Sequence, residues 1–119
     1  MAKSSEDCIF CKMANGKVKV EKVGESNSVF AIRDIKPRTK GHTLIIPKQH
    51  WVTLLDIPDK YGDELLEFTK KIATGLLHDK HGDGFNLVMN NLSVAGQVVM
   101  HAHIHIIPRK EDDGLKIVQ

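Results

Sequence analysis

Apolar positions between residues 58 and 81 recur every three or four residues, which is the spacing of one face of an α-helix. This stripe predicts one long helix over those residues. Pro58 suits the first turn of such a helix, and Gly82 suits the position just after its end. The stripe consists of Tyr61, Leu65, Phe68, Ile72 and Leu76.

Shorter apolar runs elsewhere predict strands rather than helices. Gly24 and Asn27 are turn-forming residues between the first two runs and indicate a hairpin. A further short run, residues 8–14, reads as one or two helical turns that stop at Gly16. The predicted strands cover residues 18–23, 28–33, 43–46, 85–89 and 98–107. We therefore expect an α+β fold with about five strands in a mostly antiparallel sheet, one long helix and a short N-terminal helix.

Length and composition fit one globular domain, which we expect to span residues 1–119. The chain is 41% hydrophobic and 27% charged, and its net charge is +2 with basic residues scattered along it. A protein that binds nucleic acid polymers would cluster Lys and Arg on one face, so no such partner is expected. No apolar stretch approaches the ~18–20 residues needed to span a membrane, and the N-terminus lacks the apolar core of a signal peptide. A cytoplasmic location is the expectation.

Three histidines alternate with apolar residues in the last predicted strand. Side chains alternate faces along a strand, so His101, His103 and His105 should project from one face, about 6.6 Å apart. Three imidazoles are costly to bury unless each has a partner. The pattern alone leaves three interpretations open: a chance cluster on a solvated face, a metal-binding tract, or a catalytic row.

The residues just before this strand favour phosphate chemistry. Ala95-Gly96-Gln97 is a run of small and polar residues where backbone N–H groups can approach an anion. One neutral imidazole can attack phosphorus while a neighbour stabilises the developing charge. The attacking ring needs its other nitrogen held by a hydrogen bond, and a backbone carbonyl is the expected partner.

Residues 96–107 resemble the signature of the histidine-triad (HIT) hydrolases and nucleotidyltransferases. Other matching blocks occur in the family's order at residues 8–12, 31–35, 41–50, 90–91 and 105–109. The resemblance implies a HIT-like fold, a homodimer and a purine nucleotide substrate. It also implies cleavage at the α-phosphate of nucleoside phosphoramidates or dinucleoside polyphosphates through a nucleotidyl-histidine intermediate.

The resemblance also implies roles for individual residues. His103 would attack the phosphate, His105 would contact it, and His42 would support the triad. Asn90 and the backbone at Gly96 and Gln97 would hold phosphate oxygens. Asp34 would bind the ribose hydroxyls, since a diol suits a carboxylate acceptor. An apolar slot for the base would be formed by Ile9, Phe10, Met13 and Ile32.

The chain departs from the family pattern at Val98. Many members carry Ser or Thr after the glutamine, where a hydroxyl helps the leaving group to depart. Val98 offers no hydroxyl. Either substrates with good leaving groups are preferred, or the activity is low.

Cys8 and Cys11 form a Cys-x-x-Cys pair, a spacing used by redox sites and by zinc sites. Two inert buried thiols are the alternative. Zinc needs two further ligands. The family resemblance supplies His50 and His101, which would complete a structural zinc site and tie the N-terminal turn to the catalytic strand.

Two further interpretations concern surface residues. His78 and His81 suit the C-terminal end of a helix, where they need no functional role. Lys36, Arg38 and Lys40 form a basic loop that is either simply solvated or steers an anionic substrate.

Two rival functions remain at this point. The first is a metal-dependent hydrolase that uses the three histidines of the run as ligands. The second is a nucleotide-binding protein with little turnover, an alternative to which Val98 gives weight.

Overall fold

The computed structural model describes residues 6–117 of the chain. The termini of the predicted domain, residues 1 and 119, lie outside this range. The helices are α1 (Ile9–Ala14) and α2 (Gly62–His78), and the strands are β1 (Gly24–Glu25), β2 (Val29–Arg33), β3 (Thr43–Pro47), β4 (Gly84–Val88) and β5 (Ile104–Arg109). Short 3₁₀ turns cover Leu54–Asp56, Asp59–Tyr61 and Ser93–Ala95.

The five strands form one sheet in the order β1-β2-β3-β5-β4, and every neighbouring pair is antiparallel. Together with one long and one short helix, this sheet confirms the predicted α+β fold. The last strand, β5, lies between β3 and β4, so the residues just before it are held near the middle of the sheet.

The central strands are buried on both faces, which explains why β2 and β3 read as continuous apolar runs. Phe30 and Leu44 pack on one face with Phe10 of α1. Ala31 and Ile45 pack on the other face with α2. Since His105 pairs with Leu44 across the ladder, its side chain lies on the α1 face.

The first predicted strand, residues 18–23, is wrong over its whole length. Residues 18–23 are irregular, and pairing with β2 is confined to β1. Gly24 allows this strand to approach α2, because a Cβ there would lie 2.7 Å from Cδ1 of Ile72. The glycine predicted to turn the hairpin therefore lies inside the ladder.

The long helix is confirmed, but it is shorter than predicted at both ends. It begins at Gly62, after the 3₁₀ turn Asp59–Tyr61 that follows Pro58, and it ends at His78. Lys80 adopts a left-handed backbone conformation (φ 62°) and terminates it. Gly82 does not end the helix. It lets the chain pass close to β5, because a Cβ there would lie 2.8 Å from the backbone nitrogen of Arg109. No helix among residues 6–117 has both the length and the apolar character needed to cross a membrane.

The last strand begins at Ile104 and not at residue 98. The preceding backbone makes other hydrogen bonds instead. The N–H of His101 donates to the oxygen of Val99 (2.8 Å), and that of Ala102 donates to the oxygen of Trp51 (2.6 Å). Two of the three histidines in the run therefore lie outside the sheet.

Candidate functional site

The three histidines of the run separate into two sites. The expectation that all three share one strand face is wrong, because only His105 lies in β5. The rings of His103 and His105 are 5.0 Å apart and line one cavity. The ring of His101 is fully buried and lies instead beside Cys8 and Cys11.

His103 has a defined tautomer. Its Nδ1 lies 2.8 Å from the main-chain oxygen of His101, and because a carbonyl oxygen only accepts, Nδ1 carries the proton. The Nε2 atom of the neutral ring then carries the lone pair. The edge of Phe10 packs against this ring at a centroid distance of 5.2 Å and limits its rotation. His103 is 8% exposed and presents a nucleophilic nitrogen to the cavity it lines.

His105 has the opposite tautomer. The N–H of Arg38 donates to Nδ1 of His42 (3.0 Å), so the proton of neutral His42 is on Nε2. That nitrogen lies 2.9 Å from Nδ1 of His105, which accepts and leaves the proton of His105 on its own Nε2. Neighbouring rings thus offer a lone pair, from His103, and an N–H donor, from His105.

The pKa shifts support neutral rings near pH 7. Burial, together with repulsion from His103 and His42, lowers the pKa of His105 to about 4. Burial also lowers the pKa of His42, although attraction by the Asp34 carboxylate opposes that shift. Both rings are therefore held uncharged at neutral pH.

The cavity beside these rings has a volume of about 430 Å³ and an apolar end and a polar end. All four residues predicted to form the base slot line the apolar end. Leu44 and Val99 line it as well, and the alternation of β3 could have identified Leu44, which shares the α1 face with His105. The predicted residues that line the whole cavity are Ile9, Phe10, Met13, Ile32, Asp34, Asn90, Gly96, His103 and His105.

Asp34 reaches the polar end while keeping two local contacts. Its Oδ1 accepts from the N–H of Lys36 (2.9 Å), and its Oδ2 lies 3.4 Å from Nε2 of His42. The side chain is 19% exposed. It therefore retains acceptor capacity toward the cavity.

Gln97 does not line the cavity. Its side-chain oxygen accepts from the N–H of Leu92 (2.6 Å), and its side-chain nitrogen donates to the oxygen of Val52 (2.6 Å). The side chain is buried, so Gln97 fixes the loop before the histidines. The sequence predicts a role for the backbone of Gln97 and contains no sign of this role for its side chain.

The backbone donors also differ from those expected. The N–H groups of Gly96 and Gln97 already donate to the oxygens of Ser93 (3.0 Å) and Leu92 (3.1 Å). Those of Val98 and Val99 have no acceptor within residues 6–117. Both valines line the cavity, so the available N–H donors lie one or two residues further along the chain.

The two cysteines form a compact cluster with His50 and His101. Nδ1 of His101 lies 3.3 Å from Sγ of Cys8 and 3.5 Å from Sγ of Cys11. Nδ1 of His50 lies 3.2 Å from Sγ of Cys11 and 3.2 Å from Nδ1 of His101. Tetrahedral zinc with ordinary Zn–S and Zn–N bonds separates its ligand atoms by about 3.3–3.8 Å. The observed distances, 3.2–3.5 Å, lie within about 0.1 Å of that range, so a small adjustment of the side chains would let the four ligand atoms hold a zinc ion.

His101 is also in the correct tautomer to bind a metal. Its Nε2 lies 2.7 Å from the main-chain oxygen of Pro47, which only accepts, so the lone pair is on the Nδ1 that faces the cysteines. Burial lowers the pKa of His101 to about 4, which favours the neutral ligand form. Nothing in the sequence indicated Pro47 as this partner.

A second group of potential ligands, Asp34, His42 and His105, is explained by hydrogen bonding. The proton on Nε2 of His42 points at the other two residues, so that nitrogen is a donor and not a ligand. Within residues 6–117, His101, His103 and His105 do not form a group close enough to share one metal ion.

Comparison with known proteins gives one consistent family. A family model described as HIT domain matches residues 15–112. An uncharacterized HIT-like protein of Methanocaldococcus jannaschii is 49% identical over 109 residues, covering 90% of this chain and 82% of that protein. An adenosine 5'-monophosphoramidase of Candida albicans is 39% identical over 113 residues, covering 92% of this chain and 74% of that protein.

Solved structures agree with these matches. A crystal structure of a Streptococcus mutans protein superposes with a TM-score of 0.91 at 40% identity, covering 100% of this chain and 76% of that chain. A zinc-bound histidine triad family protein from Mycobacterium smegmatis superposes with a TM-score of 0.86 at 35% identity, covering 95% of this chain and 82% of that chain.

Proposed function

This chain belongs to the HIT-domain family, and from that premise we propose that it is a nucleotide hydrolase that cleaves its substrate at the α-phosphate through a covalent intermediate on His103. The observation that carries the proposal is the opposed pair of tautomers. An unprotonated Nε2 on His103 lies next to a protonated Nε2 on His105, in a cavity of nucleotide size.

The residues that line the cavity suit one orientation of a bound nucleotide. The base would enter the apolar end between α1 and the sheet, and Asp34 would accept from the ribose hydroxyls. The phosphate would then lie at the polar end, beside Asn90 and the N–H groups of Val98 and Val99. This orientation brings the α-phosphate to the two histidines.

The reaction would proceed in two displacements at phosphorus. In the first, Nε2 of His103 bonds to phosphorus and the bond to the leaving group breaks, with its electron pair going to the leaving atom. An amine leaving group takes a proton from solvent as it departs, whereas a phosphate leaving group departs as an oxyanion. The carbonyl of His101 holds the Nδ1 proton and so stabilises the cationic ring that forms. The N–H of His105 would donate to a phosphate oxygen. In the second, water attacks phosphorus, loses a proton to solvent and releases His103 and the nucleotide.

We propose adenosine phosphoramidates and dinucleoside polyphosphates as the substrate classes. The Candida albicans relative is named as an adenosine 5'-monophosphoramidase, which supports an adenylyl group in this cavity. An apolar slot favours a purine because a purine has the larger flat surface to bury.

The cysteine cluster is proposed to hold one structural zinc ion. Cys8, Cys11, His50 and His101 would occupy all four tetrahedral positions, leaving none for substrate. When bound, the ion would cross-link α1 to the segment that carries His103. The named zinc-bound relative supports this assignment.

We also propose that the whole chain acts as a single domain and that it forms a homodimer. The dimer is implied only by the family resemblance. Sedimentation of the purified protein tests it, and a monomer at working concentration would reject it.

The proposed function is tested with a panel of adenylated and guanylated phosphoramidates and dinucleoside polyphosphates, assayed with and without EDTA. We expect release of the nucleoside monophosphate at a rate that EDTA leaves unchanged during the assay. Loss of activity in EDTA with the fold intact would favour the metal-dependent hydrolase. Tight nucleotide binding without turnover would favour the binding protein.

A further inference from the structure

A second cavity adjoins the nucleotide cavity on the far side of His105. It has a volume of about 300 Å³. It shares Asp34, Lys36, Asn90 and His105 with the nucleotide cavity, but His103 does not line it. A phosphate held at Asn90 and His105 would thus have the nucleophile on one side and this cavity on another.

The loop of residues 36–41, which contributes a basic wall to this cavity, is fixed in place. The N–H of Arg38 donates to Nδ1 of His42 (3.0 Å). The hydroxyl of Thr39 donates to the oxygen of Pro108 (2.6 Å), and the N–H of His42 donates to the oxygen of Thr39 (3.1 Å). The loop is therefore pre-organised beside His105, which reduces the ordering cost of binding a ligand there.

Within the described part of the chain, the basic side chains of this loop have no carboxylate partners. Lys36, Arg38 and Lys40 form no ion pair within residues 6–117. The positive charge of Arg38 acts on the triad, since it contributes to lowering the pKa of His42 and of His105. Three cations beside a reaction centre, none of them neutralised, attract an anion.

Further positively charged side chains line a neighbouring cavity. A third cavity of about 250 Å³ shares Arg38 with the second and is lined by Lys40 and Lys110. Asp113 also lines it, but that carboxylate is bound by Arg109 (2.7 Å). The positive side chains therefore form a track that leads away from the phosphate site.

We propose that the second cavity is a leaving-group subsite that selects leaving groups bearing a phosphate, with Arg38 as the principal contact and Lys36 and Lys40 beside it. This inference rests on the proposed function. Phosphoryl displacement places the attacking and leaving atoms roughly in line. A leaving group directed away from His103, past Asn90 and His105, would reach this cavity, which shares those two residues with the nucleotide cavity and is not lined by His103.

The absence of a hydroxyl at Val98 is consistent with a preference for leaving groups that bear a phosphate. A leaving group joined through a P–O–P bond departs as a stable oxyanion and needs no proton. The missing hydroxyl at residue 98 then has little consequence. The basic track and the valine both favour the same chemical class of substrate.

The test compares two adenosine 5'-phosphoramidates that share the same P–N bond, one of O-phosphoethanolamine and one of ethanolamine. Charge-assisted contacts to the distal phosphate should raise kcat/KM for the phosphorylated substrate at least about tenfold at low salt. Arg38→Ala should bring the ratio close to one, because it removes the guanidinium but keeps the N–H that holds His42. Arg38→Gln, which keeps the side-chain length, should do the same.

Lys70→Ala is the matched control, since it removes one exposed positive charge from α2, away from the cavity. It should leave the ratio unchanged. The ratio is measured within each preparation, so a partly folded variant does not distort it. Equal hydrolysis of both substrates by the wild type, or an unchanged ratio in both Arg38 variants, would overturn the subsite and leave the proposed function intact. If neither phosphoramidate is hydrolysed, the subsite is rejected, and the proposed function is rejected with it only if the dinucleoside polyphosphates of the panel are not hydrolysed either.

Discussion

His103 and His101 are joined by a hydrogen bond from Nδ1 of the first to the main-chain oxygen of the second, 2.8 Å away. The side chain of the same His101 lies among the cysteines, with Nδ1 3.3 Å from Sγ of Cys8. One residue therefore contributes its side chain to the proposed zinc site and its carbonyl to the proposed nucleophile, His103. This link explains how a structural ion could hold the nucleophile in position without touching substrate.

The first prediction concerns that ion. The purified, reduced protein should contain about one zinc per chain, and Cys11→Ala should lose it, because three ligands bind far more weakly than four. Loss of the cross-link between α1 and the catalytic segment should lower the melting temperature by at least about 4 °C. Metal content is measured by atomic spectroscopy and stability by thermal unfolding.

His78→Ala is the control for the metal measurement, because His78 is exposed and lies outside the cluster. It should keep both the zinc and the melting temperature. Wild-type protein without metal, together with an unchanged melting temperature in Cys11→Ala, would refute the site.

The second prediction concerns Val98, which is 89% exposed and so tolerates substitution without disturbing the packing. Val98→Ser should raise the rate on poor leaving groups such as alkyl phosphoramidates. A side-chain donor that stabilises transition-state charge is worth up to about 10²–10³ in rate, and less here because backbone donors remain. Substrates with good leaving groups should scarcely change. The measurement is the ratio of variant to wild-type rates across a leaving-group series.

Val94→Ser makes the same chemical change at a neighbouring valine of the loop that is 98% exposed and does not line the cavity. Its rate ratio should stay near one for every substrate. If the ratio of the Val98→Ser rate to the wild-type rate is the same for every leaving group, residue 98 has no role in leaving-group departure.

The third prediction follows from the pKa of His105, which burial, with repulsion from His103 and His42, lowers from 6.5 to about 4. Between these values the unfolded chain binds more protons at this position than the folded chain does. The free energy of unfolding should therefore fall as the pH drops from 6.5 towards 4, by at most about 3 kcal/mol from this residue. Above pH 6.5 the contribution is fully present.

Denaturant unfolding at several pH values measures this dependence. His105→Gln should lose less stability than the wild type over the same pH range, while His78→Gln, at an exposed site, should follow the wild type. Any contribution from the metal ligands is common to all three proteins and cancels in the comparison. If the free energy of unfolding falls equally steeply with pH in His105→Gln and in the wild type, the assigned pKa of His105 is contradicted.

Most of the fold could be predicted because its signals are local. The helical stripe on α2 and the apolar runs of β2 and β3 predict these elements correctly, because hydrophobic spacing reflects which positions are buried. The start of β5 could not be predicted, because it depends on contacts with residues that are distant in the sequence. Residues 98–103 have the composition of a strand, but their hydrogen bonds go to a turn and to Trp51, which is distant in sequence.

The sequence predicts which residues form the candidate site better than it predicts how their side chains are arranged. The alternation argument placed His101 with His103, whereas the structure directs His101 to the cysteines and makes Arg38 and His42 determine the tautomer of His105. Such assignments depend on which backbone atom faces which ring nitrogen. A sequence does not contain that information.

The central claim is that His103 becomes covalently bonded to the nucleotide, and rapid quenching during turnover followed by mass spectrometry tests it most directly. The wild type should yield an acid-labile nucleotidyl adduct that maps to His103. His103→Ala should form no adduct and show no turnover, yet bind nucleotide nearly as well as the wild type, because the base and ribose contacts remain. Turnover retained by His103→Ala, or an adduct on any other residue, would contradict the account.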